Sequence, residues 1–165
     1  MPDLLAFNPN TFYLGSYSIT VTKGIYATKI KMNCLTPVVN TRQLPSSHKI
    51  LREELPSIFN SKCFNDQDNP FIEEAKRTEL GHLFEHVMLE YICMGKIEKG
   101  LKRVSVSGVT DWNWKREPFG TYNITLRVGK IDQTIIDEAL KKTITLFDYI
   151  LKSHALHTKK QKPIS

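Results

Sequence analysis

Residues 78–95 read TELGHLFEHVMLEYICMG, and this stretch near the middle of a 165-residue chain decides the fold. Its apolar side chains recur at helical spacing, which predicts an amphipathic helix. On a helical wheel of about 100° per residue, the apolar stripe lies opposite His82 and His86. The stripe consists of Leu80, Leu83, Phe84, Val87, Met88, Tyr91 and Met94. We predict a helix that begins near residue 71 or 78, ends at Met94 before Gly95, and turns its histidines away from the core.

The segments on both sides of this helix complete an α+β pattern. Four stretches have the β-branched, aromatic or alternating residues typical of strands: 11–21, 25–34, 104–109 and 122–128. Two more helices are predicted, over 48–59, where Pro56 ends or kinks the helix, and over 132–153. The order ββααββα predicts a small, mostly antiparallel sheet with three main helices packed on it. We expect one domain over residues 1–156, followed by a basic, disordered tail over 157–165.

Composition narrows the class of protein. Hydrophobic residues make up 41% of the chain and charged residues 24%, which are globular values. No run of 18 apolar residues and no secretory signal is found, and the three cysteines form no CxxC pair. We therefore expect a cytoplasmic protein without a membrane partner. The net charge is +6, and three of these charges are lysines of the tail, so the charge favours nucleic-acid binding only weakly.

The central helix also contains a His-x-x-Glu-His pattern, formed by His82, Glu85 and His86. The two histidines are one turn apart and about 40° apart around the helix, so both imidazoles can reach one cation. Glu85 lies about 60° to the other side of His82, within reach of a water at that cation. Imidazole ligands favour zinc, or another divalent transition metal. The pattern predicts a metal-dependent hydrolase of a peptide or amide bond, with Glu85 as general base.

The third ligand is left open by spacing alone. Glu90 is in phase with His86 but lies two turns beyond His82, and Cys93 is farther still. Cys63, in the polar loop before the helix, reaches the site more easily. Candidates by residue type for stabilising a developing oxyanion are Tyr122, Arg103 and Arg116.

Several short motifs resemble the N-terminal domain of cyanophycin synthetases. The resemblance covers roughly residues 50–152 and is densest over residues 78–90. The residues that carry it are Leu55-Pro56-Ser57, Cys63, Phe71, the run TELGHLFEHVMLE, Glu117-Pro118, Gly120 and Tyr122-Asn123. In that family the domain precedes an ATP-grasp ligase domain and a Mur-ligase-like domain, and neither is found in these 165 residues.

This resemblance implies a function and a set of site residues. In some members of that family the domain is a metal-dependent endopeptidase that cuts the Asp-Arg polymer, and the resemblance implies the same activity here. The family's cysteine, two histidines and glutamate fall on Cys63, His82, His86 and Glu85, which implies Cys63 as the third ligand. The chain departs from the family at residues 104–108, which lack arginines, and at Leu80, where an aromatic residue is usual.

Two other interpretations belong to different functional classes. A non-catalytic interaction module would use the metal only to fasten the Cys63 loop to the helix and would have no use for Glu85. A weak nucleic-acid-binding protein would use the basic tail together with a stacking loop formed by Trp112, Trp114, Lys115 and Arg116.

Overall fold

A five-stranded antiparallel sheet forms one layer of the fold, in a computed structural model that describes residues 10–61, 70–101 and 104–161. The strands lie in the order β1-β2-β3-β5-β4, and every neighbouring pair is antiparallel. Their bounds are β1 Thr11–Tyr13, β2 Tyr17–Lys23, β3 Thr28–Cys34, β4 Gly108–Asp111 and β5 Thr121–Leu126. The predicted α+β class is confirmed.

The predicted strand over 11–21 is two strands, which is a correction. Gly15 has a φ of 82°, a conformation that glycine adopts readily, and Leu14 N–H donates to the Tyr17 carbonyl at 2.9 Å. The chain therefore turns between β1 and β2 and returns to pair with itself. The two downstream strands also differ from prediction at their ends, because β4 begins at Gly108 and β5 ends at Leu126.

The described residues form four α-helices beside the sheet: α1 Ser47–Glu54, α2 Phe71–Glu74, α3 Leu80–Glu98 and α4 Gln133–Gln161. Short 3₁₀ turns lie at Thr41–Gln43, Pro56–Asn60 and Lys130–Asp132. As predicted, α1 ends before Pro56, where the chain continues as a 3₁₀ turn. None of the helices in the described ranges is both long enough and apolar enough to cross a bilayer.

Both long helices run beyond their predicted ends. Gly95 does not end α3, which continues to Glu98. Just after the helix, the Gly100 N–H donates to the Ile97 carbonyl and the Leu101 N–H donates to the Lys96 carbonyl. Gly100 has a positive φ of 92°, which is typical of a residue that ends a helix. Likewise α4 continues to Gln161, so the predicted boundary at 156 and the start of the predicted tail fall inside a helix. Residues 162–165 lie outside the described part.

The central helix α3 is covered on several sides, which differs from the one-sided burial predicted for it. It packs on β4 and β5, on α4 and on the Pro56–Asn60 turn. Leu83, Phe84, Val87, Met88 and Ile92 are fully buried, as is Gly81, against which the Tyr122 ring packs directly. Met94, which was predicted in the core, is 36% exposed, and Tyr91 is half-buried.

Candidate metal centre

Two imidazole nitrogens meet at the start of α3. The Nε2 atoms of His82 and His86 lie 3.1 Å apart, and the ring planes are 84° to each other. Two imidazoles bound to one tetrahedral zinc, at 2.0–2.1 Å each, would hold their nitrogens about 3.3 Å apart. The pair predicted from the i, i+4 spacing is therefore brought together with a separation close to that of a shared ligand set.

The far nitrogen of each imidazole faces a hydroxyl group. Thr78 Oγ1 lies 2.7 Å from His82 Nδ1, and Ser61 Oγ lies 3.4 Å from His86 Nδ1. Thr78 is itself held in place, because its backbone N–H donates to Thr41 Oγ1 at 2.8 Å. The 3.1 Å contact between the two Nε2 atoms is itself of hydrogen-bond length, so one imidazole donates to the other in the metal-free protein. Each ring would present the Nε2 lone pair that a metal requires when its proton lies on Nδ1, facing the hydroxyl.

His86 is buried, contrary to the prediction that both histidines face away from the core. It is 6% exposed, and the Phe71 ring stacks on it with the centroids 4.0 Å apart. Burial, and then the proximity of His82, lowers the pKa of His86 to about 3. Burial also lowers the pKa of the partly exposed His82. Both imidazoles are therefore neutral at physiological pH, as metal ligands must be.

Glu85 points from α3 toward β4 and is 4% exposed. Thr110 Oγ1 donates to its Oε2 at 2.5 Å. Burial raises the pKa of this carboxyl group, and the bond from Thr110 opposes part of that rise. A carboxyl group with a raised pKa holds a proton more readily than a solvated one does, which suits a group that transfers protons.

A cleft of about 570 Å³ joins these groups. One wall is α3, which contributes His82, Glu85, His86, Leu89, Glu90 and Cys93. The opposite wall is the extended segment 104–110, and Ser61 lies at the cleft boundary. Gly108 allows the two walls to approach, since a Cβ atom there would lie 3.2 Å from Glu85 Cγ. The cleft is thus lined by both the imidazole pair and the carboxylate.

The predicted third ligand, Cys63, lies outside the described residues. In the sequence it follows Ser61, which contacts His86, by two positions. Glu90 and Cys93 line the same cleft. Across 10–61, 70–101 and 104–161, no three His, Cys, Asp or Glu side chains form a group that could hold a metal ion. The described residues therefore supply two candidate ligands and not a complete set.

Of the three candidates for oxyanion stabilisation, Tyr122 and Arg116 do not line this cleft. Tyr122 is buried, and its hydroxyl lies 2.6 Å from Glu79 Oε2 and 2.8 Å from the Val39 carbonyl, so its one proton is engaged there and its candidacy was wrong. Arg116 is an exposed residue of the turn after Trp114. Arg103 lies outside the described residues.

Sequence reasoning missed the groups that orient the site. Thr78, Ser61 and Thr110 supply hydroxyls to His82, His86 and Glu85, respectively. A threonine four residues before a predicted ligand was a detectable signal for Thr78. Ser61 and Thr110 are 25 residues from their partners, so no local pattern could reveal them.

The tryptophan loop is built into the fold. Trp114 Nε1 donates to the Thr121 carbonyl at 2.9 Å, and the Trp114 ring packs on Phe119 and Tyr122. Trp112 also lies against Tyr122, although it is 41% exposed. These contacts give both indoles a structural role over the sheet.

Compared with models of known protein families and with curated protein sequences, the chain matches none.

Proposed function

We propose that this protein is a metal-dependent hydrolase that cleaves a peptide or amide bond. His82 and His86 would hold the ion, with Cys63 as the predicted third ligand, and Glu85 would be the general base. The observation that carries the proposal is the His82–His86 pair, whose Nε2 atoms are 3.1 Å apart while each Nδ1 faces a hydroxyl.

The donor set is compatible with a zinc ion. Two neutral imidazoles in this arrangement are borderline ligands of the kind that zinc, and other late divalent ions, prefer. A thiolate from Cys63 would complete a three-residue set and leave a fourth position for solvent or substrate. The chemistry supplied by such an ion is polarisation of a carbonyl and a lowered pKa for water.

Glu85 supplies the proton transfer in this proposal. Its carboxylate would accept a proton from the water that attacks the amide carbon, and would then deliver that proton to the departing amine nitrogen. Thr110 fixes the orientation of the carboxylate through its 2.5 Å bond to Oε2. Burial raises the pKa of Glu85, which favours uptake of the proton before the second transfer.

A peptide-like substrate agrees with the shape of the cleft. The cleft extends along α3 as far as Cys93 and along the opposite segment over residues 104–110. An elongated site of this kind suits an extended peptide that lies along the cleft beside His82, His86 and Glu85. A cyanophycin-like polymer is the first substrate to try, because the motif around residues 78–90 resembles the N-terminal domain of cyanophycin synthetases.

Hydrolysis of cyanophycin and of a peptide mixture, followed by mass spectrometry, tests the proposal. We expect cleavage by the purified protein, its loss after treatment with a chelator, and its return when zinc is added back. Cleavage that persists in the fully metal-stripped protein would contradict the proposal, as would the absence of cleavage by the zinc-loaded protein across both substrates.

A further inference from the structure

A sheet edge without a strand partner among the described residues lies beside the candidate site. Strand β4 is the last strand of the sheet, and its only strand partner in the described residues is β5. Antiparallel strands bond through alternate residues. The Arg127 N–H donates to the Ser107 carbonyl at 2.8 Å, so Val109 and Asp111, in the same register, also face β5. The main-chain groups of Gly108 and Thr110 therefore point away from the sheet.

These outward groups have no partner in the described ranges. No hydrogen bond joins the N–H or C=O of Gly108 or Thr110 to another residue there. Edge strands with open donors and acceptors accept an added strand unless something blocks them. No proline or lysine blocks β4, whose sequence is GVTD.

The same two residues contact the proposed general base. The Thr110 side chain donates to Glu85, and Gly108 lies so close that a Cβ atom would be 3.2 Å from Glu85 Cγ. Both residues line the cleft with His82 and His86. A chain bonded to this edge would therefore run directly past the imidazole pair and the carboxylate.

We propose that β4 binds the substrate as an added strand: an extended peptide exchanges main-chain hydrogen bonds with Gly108 and Thr110. This inference rests on the proposed function for the chemistry beside the edge, and it adds the substrate class. Recognition through the main chain requires an extended backbone with free N–H groups and makes few demands on side-chain identity.

A single peptide segment fits this edge better than a second copy of the protein does. The strand is only four residues long, and α3 forms the opposite wall of the cleft that Gly108 and Thr110 line. An isolated chain can enter a cleft of this kind, whereas a partner sheet would bring its own packed layers with it. The experiment must distinguish peptide binding from edge-to-edge pairing of two copies of the protein.

The test uses the Glu85→Gln protein, for which the proposed function predicts binding without turnover, and a library of capped random peptides. Amide hydrogen exchange, read by NMR, should slow at Gly108 and Thr110 when the library is added. The same library with methylated backbone nitrogens should give no protection. Unchanged exchange at both amides, or equal protection by the methylated library, would overturn the inference. Protection that depends on protein concentration and not on peptide would also overturn it, in favour of self-pairing.

A matched pair of variants at one position isolates the edge hydrogen bond. Gly108→Pro and Gly108→Ala both add a Cβ atom beside Glu85, but only proline removes the N–H that points to the peptide. Loss of one such bond should weaken peptide binding about tenfold in Gly108→Pro relative to Gly108→Ala. Equal binding by the two variants would contradict the inference.

The inference and the proposed function fail in different ways. If peptide protects Gly108 and Thr110 but the wild-type protein hydrolyses nothing, the edge is a peptide-binding site and the proposed enzyme function is wrong. If hydrolysis is unchanged by methylation of the substrate backbone and by Gly108→Pro, the enzyme function stands and the proposal of strand binding at β4 is wrong.

Discussion

The Phe71 ring stacks on the imidazole of His86, with 4.0 Å between the centroids and 14° between the planes. Phe71 is the first residue of α2 and is fully buried, so an apolar ring from another helix covers a face of this predicted metal ligand. The contact explains why His86 is buried although it lies off the apolar stripe of its own helix. Because His86 is buried, protonation of its imidazole is unfavourable in the folded protein.

Acid should destabilise the metal-free protein through His86. Its pKa is about 3 in the folded state and about 6.5 when unfolded. Between these values the unfolded chain binds more protons, so the free energy of unfolding rises with pH across this window and is constant above it. From pH 5 to pH 7 we expect a gain of about 2 kcal/mol from this residue.

Urea denaturation at pH 5 and pH 7, in the presence of chelator, measures this effect by comparison with His86→Gln. Glu85 contributes with the opposite sign, because its raised pKa makes the folded state bind more protons above pH 4.5. Glu85 is present in both proteins, so its contribution cancels in the comparison. An identical pH dependence of the two proteins would show that His86 is not held neutral by burial.

Replacing Glu85 by glutamine should remove hydrolysis while leaving the fold and the metal in place. Glutamine keeps an oxygen that can accept from Thr110 Oγ1, so the packing is retained, but it cannot take a proton. We expect kcat to fall at least about 100-fold. Zinc content and Tm should stay close to wild type. Glu90→Gln, in the same cleft, is the control and should remain active.

A fully active Glu85→Gln protein would contradict the role of general base. If it bound zinc normally and neither it nor the wild-type protein hydrolysed any peptide, the non-catalytic interaction module would be the better account. The comparison therefore separates two classes of function that share the same predicted ligands.

Thr78→Val should weaken zinc binding without a comparable loss of stability. The hydroxyl of Thr78 lies 2.7 Å from His82 Nδ1, and removal of such a partner costs about 10-fold to 100-fold in metal affinity. Thr143→Val is the matched control, because Thr143 is also buried but bonds to Ala139 in α4. Competition titration with a zinc-binding dye measures the zinc affinity of both variants. If Thr78→Val bound zinc as tightly as Thr143→Val does, Thr78 would not orient His82.

Gly81→Ala should destabilise the fold although alanine is the better helix former. A Cβ atom at this position would lie 2.3 Å from Tyr122 Cγ, and the buried tyrosine ring has nowhere to move. Overpacking of about 1–3 kcal/mol should exceed the gain of about 1 kcal/mol from helix propensity.

Gly95→Ala is the control within the same helix. Its Cβ atom would meet only the Cγ2 methyl of Ile135 at 3.0 Å, so the gain in propensity and the contact should nearly cancel. Thermal unfolding of both variants checks the difference. A Gly81→Ala protein that is as stable as Gly95→Ala would show that the approach of α3 to Tyr122 is looser than described.

Local pattern was enough to predict the helix and its histidine pair. The i, i+4 spacing of His82 and His86 fixes their separation once a helix forms, and the observed 3.1 Å between Nε2 atoms follows from it. Alternation and β-branched residues likewise indicated the sheet strands. The end of α3 was missed because Gly95 looked like a stop, whereas the helix ends where Gly100 adopts a positive φ.

The surroundings of the pair could not be predicted, because they come from distant parts of the chain. A helical wheel counts only the apolar residues of one helix, so it gave no sign that Phe71 would cover His86. The bond from Thr110 to Glu85 joins residues on α3 and β4, and it depends on Gly108 allowing the two elements to approach.

Zinc stoichiometry measured by elemental analysis tests the central claim most directly. After zinc loading and removal of free metal, we predict one zinc ion per wild-type chain, and none in a protein carrying His82→Ala and His86→Ala. Cys63→Ser should lose most of the metal if the sulfur is the third ligand. A wild-type protein that retains no zinc, or a double variant that retains as much as wild type, would contradict the assignment of His82 and His86 as metal ligands.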